Sequence, residues 1–258
     1  MVTYSHSRLS TFEQCSLKYK FRYIDKIPPD YQNSIEAFLG KKVHDTLEWV
    51  YNNSKVKDFE LDDIIKYYLE SWTQDFNSEI KIVKKEFNAE YYFNKGIRFL
   101  INYFLKHAPF KDNTVETEKK IVFSLTEKGN YNIIGYIDRL VHHKETNIFE
   151  IHDYKTGAVK SQYYLDQDRQ LALYSLAIKE YYEEVNDVHL IWHFLDSNEE
   201  KTSKRTLEDL EKLKRGIISL IDKVEATKEF IPNPSTLCNW CEYRSNCHFI
   251  KENPSYPN

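Results

Sequence analysis

Three short segments near the middle of the chain constrain its fold more than any other part of the sequence. Residues 115–125, 131–142 and 147–155 are rich in β-branched and aromatic residues, and the polar turns 128–130 and 144–147 separate them. Short runs of this composition with turn residues between them predict a meander of three β-strands. A chain with such a meander must also supply apolar segments that cover at least one face of the sheet.

Helical periodicity predicts those covering segments. Before the meander, apolar and aromatic residues recur at helical spacing in four segments, 10–24, 35–50, 61–76 and 88–107. After it we predict a helix at 167–184, a strand at 188–194 and a long helix at 206–227. This order of elements predicts an α/β fold in which a mixed β-sheet is flanked by helices.

We predict one domain over residues 1–258, because the sequence contains no internal repeat, linker or low-complexity tract. It divides into a mainly helical N-terminal part (1–110), a sheet core that carries the candidate site (111–200) and a C-terminal helix with cysteines (201–258).

Charge and hydropathy narrow the class of protein. The net charge is −4, so no global basic field indicates nucleic acid, and a nucleic-acid ligand would have to contact local basic patches. No apolar run approaches the ~18 residues of a membrane span, and no secretory signal is visible. We therefore expect a soluble, cytoplasmic protein without a membrane partner.

Two carboxylates and one amine lie at the ends of the second and third predicted strands. Asp138 follows the apolar stretch 133–137, and Asp153 and Lys155 share one face of the next strand because alternate strand residues point the same way. Antiparallel pairing would place Asp138 beside Asp153, and crowded carboxylates repel each other unless a cation lies between them.

The hard, oxygen-seeking ions Mg²⁺ and Mn²⁺ suit such a pair of carboxylates. Lys155 would then position or activate water and stabilise the charge that develops on a phosphate. Asp-x-Lys is also a common tripeptide, so a surface ion pair between Asp153 and Lys155 is the alternative that the residues leave open.

Three helical residues are further candidates for the same site. His44 lies on the second predicted helix, and Gln170 and Tyr174 lie four residues apart on one face of a later helix. The last two could contact a phosphate or orient water, or they could be ordinary helix-surface residues. A lone helical histidine is more often structural or exposed than a ligand.

The four cysteines form the second signal for a metal. Cys238-x2-Cys241-x5-Cys247 lies near the C-terminus, and Cys15 lies near the N-terminus. Intracellular thiols stay reduced, which favours metal ligation over disulfides. Zinc and a [4Fe–4S] cluster both accept four cysteines, but the one-plus-three spacing differs from the paired C-x2-C motifs of a zinc ribbon. We predict an iron–sulfur cluster that joins the N- and C-terminal segments.

Taken in order, these motifs resemble those of the RecB-like branch of PD-(D/E)XK nucleases. The resemblance covers nearly the whole chain and includes, in order, 7–21 with Cys15, His44, 135–139, 150–157, Gln170-x3-Tyr174 and the three terminal cysteines. Within this branch the chain is most similar to members with an iron–sulfur cluster. These include the CRISPR-adaptation exonucleases, the AddB-type nuclease domain and exonuclease V.

The resemblance implies a restriction-endonuclease-like fold and a role for each matching residue. By this similarity the ligands of Mg²⁺ or Mn²⁺ would be His44, Asp138, Asp153 and the carbonyl oxygen of Tyr154. Lys155 would be the catalytic lysine, and Gln170 and Tyr174 match the helical glutamine–tyrosine motif of the family. An acidic residue often found on the first strand would correspond to Glu118, although Glu116 competes for this place.

The resemblance also implies a metal-dependent DNA exonuclease that acts at single-stranded or free DNA ends. DNA repair and recombination, phage DNA metabolism and CRISPR adaptation would all use the same site. The sequence lacks the P-loop motif Gly-x4-Gly-Lys-Ser/Thr, so a helicase or adaptation protein that acts with the chain would be a separate polypeptide.

Two alternatives belong to other classes of protein. The first is a catalytically silent, nucleic-acid-binding subunit of a helicase–nuclease or adaptation complex. The intact set of His44, Asp138, Asp153 and Lys155 argues against it. The second is an iron–sulfur electron-transfer or small-molecule enzyme, whose activity would not depend on Asp153.

Overall fold

One mixed β-sheet forms the centre of the protein in the computed structural model, which describes residues 2–256. Its strands are β1 (Thr3–Tyr4), β2 (Thr114–Ser124), β3 (Asn132–His143), β4 (Ile148–Lys155), β5 (Asp187–Phe194) and β6 (Glu199–Ser203). The strands β2, β3 and β4 form the antiparallel meander that the sequence predicts. β5 pairs in parallel with β4, and β6 pairs antiparallel with β5.

Helices cover both faces of this sheet, as expected for the predicted α/β class. They are α1 (His6–Gln14), α2 (Ser16–Tyr19), α3 (Ile35–Asn53), α4 (Leu61–Asp75), α5 (Ala89–His107), α6 (Gln162–Asp166), α7 (Gln170–Tyr181), α8 (Leu207–Ala226) and α9 (His248–Glu252). None of the described helices combines the length and the apolar character needed to cross a bilayer.

The structure corrects the predicted boundaries in two places. The single helix predicted over 10–24 is wrong, because Cys15 has extended backbone angles that separate α1 from α2, and a π-helical turn follows at Lys20–Ile24. The helix predicted over 167–184 begins only at Gln170, since the Asp168 side chain accepts hydrogen bonds from the first amide groups of α7.

The short strands β1 and β6 are absent from the sequence-based assignment. β6 has the sequence Glu199-Glu-Lys-Thr-Ser203, which lacks an apolar alternation, so only its pairing with β5 identifies it as a strand.

Two apolar clusters lie on the two sides of the sheet. One packs α1, α7 and α8 against the sheet and buries Leu173, Trp192 and Ile217. The other packs α3, α4 and α5 together and includes Val43 and Phe99. Burial of each such side chain contributes about 1.5–3 kcal/mol, so both helical layers are firmly attached to the central strands.

The strands β3 and β4 separate at one end, which opens the sheet between them. Their pairing runs from His143 opposite Ile148 to Arg139 opposite His152 and stops there. β2 continues to pair with the rest of β3. The residues that follow the last pair, Asp138 on β3 and Asp153 on β4, therefore lie at the point of separation.

Candidate active site

At this point of separation, the side chain of Asp138 takes the place of a main-chain acceptor on β3. The backbone N–H of Tyr154, which no longer bonds to β3, donates a hydrogen bond of 2.8 Å to Oδ2 of Asp138. Burial raises the pKa of Asp138 to about 7, and repulsion from Asp153 adds to this effect while His44 opposes it. A nearby cation would therefore stabilise the charged form of this carboxyl group.

His44 projects from α3 onto the same carboxylate. Its Nε2 lies 2.8 Å from the carbonyl oxygen of Tyr154, and its Nδ1 lies 3.4 Å from Oδ2 of Asp138. A carbonyl oxygen only accepts hydrogen bonds, so Nε2 carries the proton. In the neutral ring Nδ1 then directs a lone pair toward the carboxylate, an arrangement that a shared proton or a metal ion stabilises.

Glu118 completes a compact group of ligand atoms. One ligand atom each from His44, Glu118 and Asp138 lies within 4.8 Å of the other two. Glu118 lies on β2 opposite Asp138 and has a φ of 44°, in the left-handed region that few non-glycine residues occupy. Burial also raises its pKa. Strained backbone and a half-buried acid with a raised pKa at one position are typical of a functional site.

The competing residue, Glu116, lies away from this group. It pairs with Leu140 on β3 rather than facing Asp138, and Lys119 Nζ lies 2.5 Å from its half-exposed carboxylate. The structure therefore brings Glu118, and not Glu116, to the candidate metal ligands.

Asp153 and Lys155 form a contact that is not a simple surface ion pair. Asp153 is only 3% exposed, and its Oδ2 lies 2.7 Å from Nζ of Lys155. This oxygen nevertheless takes part in no hydrogen bond of acceptable geometry. Burial opposes the charge of Lys155, yet the carboxylates of Asp153 and Asp138 raise its pKa above the ordinary value. Lys155 is therefore an ammonium ion here, and it acts through its charge.

Gln170 and Tyr174 reach the same place from α7. Lys155 Nζ donates a hydrogen bond of 3.1 Å to Oε1 of Gln170, whose Nε2 in turn donates to the Tyr174 hydroxyl at 3.5 Å. The Tyr174 ring lies so close to Gly135 that a Cβ at this glycine would be 2.3 Å from Cε1 of the ring. The glycine of the Gly135–Asp138 segment is thus required for α7 to approach the site.

The structure therefore places every predicted site residue of the sheet and helices around the end of β4. Asp153 is close to Asp138 but belongs to the Lys155 contact, and the three-residue ligand group contains Glu118 in its place. The ligand role of Asp153 stays a prediction.

A buried arginine supports the site from behind. Arg139 donates hydrogen bonds to the Tyr154 hydroxyl at 3.0 Å and to His152 Nδ1 at 2.8 Å, and it also pairs with Asp112. Sequence reasoning matched this residue to a motif but gave it no role. Its position between apolar strand residues was the available signal, since a buried arginine requires partners.

A polar groove lies near Lys155, since the charge of Asp168 in its lining acts on this lysine. Its lining includes Ser10 and Arg169 together with the exposed tyrosines Tyr163 and Tyr164. Lys160 Nζ lies 5.2 Å from the ring centre of Tyr164, within the range of a cation–π contact. Exposed aromatic rings beside cationic groups are the features on which unpaired bases stack.

The four cysteines line one cavity, where residues near the two ends of the chain meet. All four are free thiols, and among residues 2–256 no three sulfur atoms lie within 4.8 Å of one another. Backbone amides of Lys18 and Asn233 each donate to Cys15 Sγ at 3.5 Å. Burial raises the pKa of Cys241 to about 11.

Comparison with protein families agrees with this architecture. The family model of the PD-(D/E)XK nuclease superfamily matches residues 3–248. No curated protein matches the chain in sequence.

Comparison with solved structures also gives matches. One is a protein from Eubacterium rectale described as a candidate exonuclease, which is 11% identical, with 98% of this chain and 93% of that chain covered at a TM-score of 0.55. Another is the protein SSO0001, which is 15% identical, with 84% of this chain and 98% of that chain covered at a TM-score of 0.39. The first similarity supports the restriction-endonuclease-like fold of a mixed sheet flanked by helices.

Proposed function

The chain belongs to the PD-(D/E)XK nuclease superfamily, and from this premise we propose that it is a metal-dependent DNA exonuclease acting at single-stranded or free DNA ends. The observation that supports this most is the arrangement at the separation of β3 and β4. There Asp138, which is largely buried and has a raised pKa, lies beside His44 and Glu118, and a charged Lys155 lies beside Asp153.

The donor set suits Mg²⁺ or Mn²⁺. An imidazole nitrogen, carboxylate oxygens and the Tyr154 carbonyl oxygen converge on one side of β4, and hard cations prefer such oxygen-rich sets. A bound ion would supply Lewis-acid polarisation of the phosphoryl oxygen and lower the pKa of its water. We propose His44, Glu118, Asp138 and Asp153, with the Tyr154 carbonyl, as the residues that hold it.

The remaining residues act on the phosphate and the attacking water. Lys155 holds positive charge where negative charge develops on the phosphate oxygens. Gln170 accepts a hydrogen bond from Lys155 and so fixes the direction of its Nζ. Tyr174 packs against Gly135 and holds the Gln170 amide from the other side.

The groove with Tyr163 and Tyr164 offers a path for unpaired DNA toward Lys155. We propose that bases stack on these exposed rings, which would favour single-stranded over double-stranded ends. A separate helicase or adaptation protein would supply such ends.

Degradation of end-labelled DNA tests the nuclease proposal. Single- and double-stranded substrates labelled at the 5′ or 3′ end are incubated with Mn²⁺ or Mg²⁺ and the wild type, Asp153→Ala or Lys155→Ala. We expect metal-dependent release of labelled products by the wild type only, with Lys120→Ala on an outer strand as an active control. DNA binding without cleavage by the wild type on every substrate would instead indicate a silent binding subunit.

We propose further that the four cysteines bind a [4Fe–4S] cluster, as in the iron–sulfur members of the RecB-like branch. Four thiolates around a single zinc ion, with Zn–S bonds near 2.3 Å, would lie about 3.8 Å apart. What supports a shared ligand is that all four thiols line one cavity, although among residues 2–256 no three sulfur atoms lie within 4.8 Å of one another. Amide N–H groups that point at Cys15 Sγ would stabilise its thiolate.

Anaerobic purification distinguishes the two metals. We expect a brown protein with equal iron and sulfide contents and a visible charge-transfer absorption that disappears in Cys238→Ser. A colourless protein that contains zinc in stoichiometric amount would contradict the cluster and leave the nuclease proposal untouched.

A further inference from the structure

A second group of metal-ligand side chains lies at the outer end of the sheet. His107 is the last residue of α5, and His193 and Glu200 are direct partners across β5 and β6. One ligand atom of each residue lies within 4.8 Å of the other two. None of these residues belongs to the group around Asp138.

The hydrogen bonds of His152 determine which nitrogen of His193 carries a proton. Arg139 Nη2 lies 2.8 Å from His152 Nδ1, and a guanidinium only donates, so this Nδ1 accepts. His193 Nε2 lies 2.8 Å from the same Nδ1 and must therefore carry the proton that it donates. Glu150, 3.2 Å from His152 Nε2, accepts the proton on the other side of that ring and is consistent with this assignment.

The neutral His193 ring consequently directs a lone pair at a carboxylate. Its Nδ1 lies 3.5 Å from Oε2 of Glu200. Burial and the nearby His152 and Arg139 hold the pKa of His193 well below its ordinary value, so a second proton on this ring is disfavoured. Lys106 Nζ lies 3.5 Å from the same oxygen, but an exposed ammonium offsets the charge of Glu200 only weakly.

His107 adds a second neutral imidazole to this pair. Burial lowers its pKa to about 4, so the ring is uncharged at neutral pH. Its ring stacks on Tyr103 with centroids 4.1 Å apart and meets the edge of His193 at 5.2 Å. Packing therefore holds the ring in place beside the other two ligand atoms.

We propose that His107, His193 and Glu200 bind a transition-metal ion, with Zn²⁺ as the expected occupant. Two imidazoles and one carboxylate form a common zinc ligand set, with water completing a tetrahedral site, and imidazole disfavours Mg²⁺ and Ca²⁺. The ion would connect the end of α5 to the β5–β6 hairpin. It would also fix His193, whose ring contacts the Tyr154 ring at 5.4 Å.

Cobalt serves as the spectroscopic probe for this site. Chelator-treated wild type, His107→Gln and Glu200→Gln are titrated with Co²⁺ and compared with His189→Gln, a histidine on β5 outside the group. Asp138→Asn shows how much Co²⁺ binds at the group of His44, Glu118 and Asp138. Thiolate-to-cobalt charge-transfer bands separate any binding at the cysteines from binding by nitrogen and oxygen ligands.

We expect the wild type and His189→Gln to bind one more equivalent of Co²⁺ through nitrogen and oxygen than His107→Gln or Glu200→Gln. Asp138→Asn should retain this equivalent. In the same samples Zn²⁺ should raise the melting temperature of the wild type more than that of Glu200→Gln, an exposed position whose substitution leaves the core intact. Equal Co²⁺ binding by the wild type, His107→Gln and Glu200→Gln would overturn the proposal.

Discussion

The carboxylate site and the cysteine cavity are built in different ways. Strand register places Asp138 and Asp153, and the Tyr154 N–H fixes the first carboxylate at 2.8 Å. The cysteine cavity instead combines Cys15, between two short helices, with Cys238 on the 3₁₀ turn Thr236–Trp240, Cys241 just after it and Cys247 just after the turn Arg244–Asn246. Strand pairing holds the residues of the first site in place, whereas the position of the short turns depends on the group that they bind.

The two regions also differ in the ionisation of their candidate ligands before a metal binds. The carboxylate site contains acids whose pKa burial raises, Asp138 and Glu118, and a left-handed backbone at Glu118. At the cavity, burial raises the pKa of Cys241, so this thiol stays protonated until a metal displaces the proton. At the carboxylate site, the acids already repel each other before a cation binds, and a bound cation would reduce this repulsion. At the cysteine site, the thiols become charged only when a metal binds.

The largest expected effect comes from Asp138→Asn. We expect a loss of cleavage of about 10³-fold or more, comparable to the removal of a principal charge-stabilising group. The amide oxygen of asparagine can still accept the Tyr154 N–H, so the fold should persist. End-labelled DNA degradation measures the loss, and cleavage within tenfold of the wild type would show that this carboxyl group is not a ligand.

The same variant also tests whether Asp138 has a raised pKa in the folded protein, through the pH dependence of the free energy of unfolding. The pKa of Asp138 is about 7 in the folded protein against a reference value of 3.8. Between these values the folded state retains a proton that the unfolded state loses, so wild-type stability in chelator falls as pH rises, by about 1.4 kcal/mol per pH unit. Denaturant unfolding of Asp138→Asn should lack this loss. Parallel curves for the two proteins would contradict a preformed, repulsive site.

Cys238→Ser should affect the other region and leave the carboxylates in place. If a bound group joins the chain ends, its loss should lower the melting temperature by on the order of 10 °C and expose residues 232–256 to protease. Ser245→Ala is the control, because it removes only the Oγ hydrogen bonds to Asp30 and Asn246 in this part of the protein and keeps the backbone bond to Asp30. Unchanged melting in Cys238→Ser would mean that the turns hold the cavity without a ligand.

Glu118→Gln sharpens the assignment of metal ligands within the carboxylate site. We expect the Mn²⁺ concentration for half-maximal cleavage to rise about 10–100-fold, as when a group that tunes a metal site is lost. Glu116→Gln removes a glutamate two residues away on the same strand, and its metal dependence should stay at the wild-type value. An equal effect of both substitutions would indicate a general change in charge rather than ligation.

The smallest expected effect concerns the groove beside Lys155. Tyr163→Ala should weaken binding of single-stranded DNA by roughly 5–150-fold, since stacking of one base contributes about 1–3 kcal/mol. Tyr91→Ala removes an exposed tyrosine on α5 and should leave binding unchanged. Fluorescence anisotropy with labelled oligonucleotides measures both, and equal affinity of Tyr163→Ala and the wild type would remove the groove from the substrate path.

Local sequence patterns determined much of this protein. The helices α3, α4, α5 and α8 and the meander β2–β4 agree with the predicted segments to within three residues, because periodicity and turn residues are properties of neighbouring positions. The candidate residues Asp138, Asp153 and Lys155 were likewise identified from their spacing, since alternation along a strand and antiparallel pairing follow from a few residues.

Only the tertiary structure decided which residues at long separation meet. Glu118 and Glu116 have the same parity on β2, and pairing with β3 places Glu118 opposite Asp138 while Glu116 lies about 6.6 Å further along the strand. The meeting of His107 with His193 likewise depends on tertiary contacts. Contacts between distant segments depend on register and packing, which no local pattern encodes.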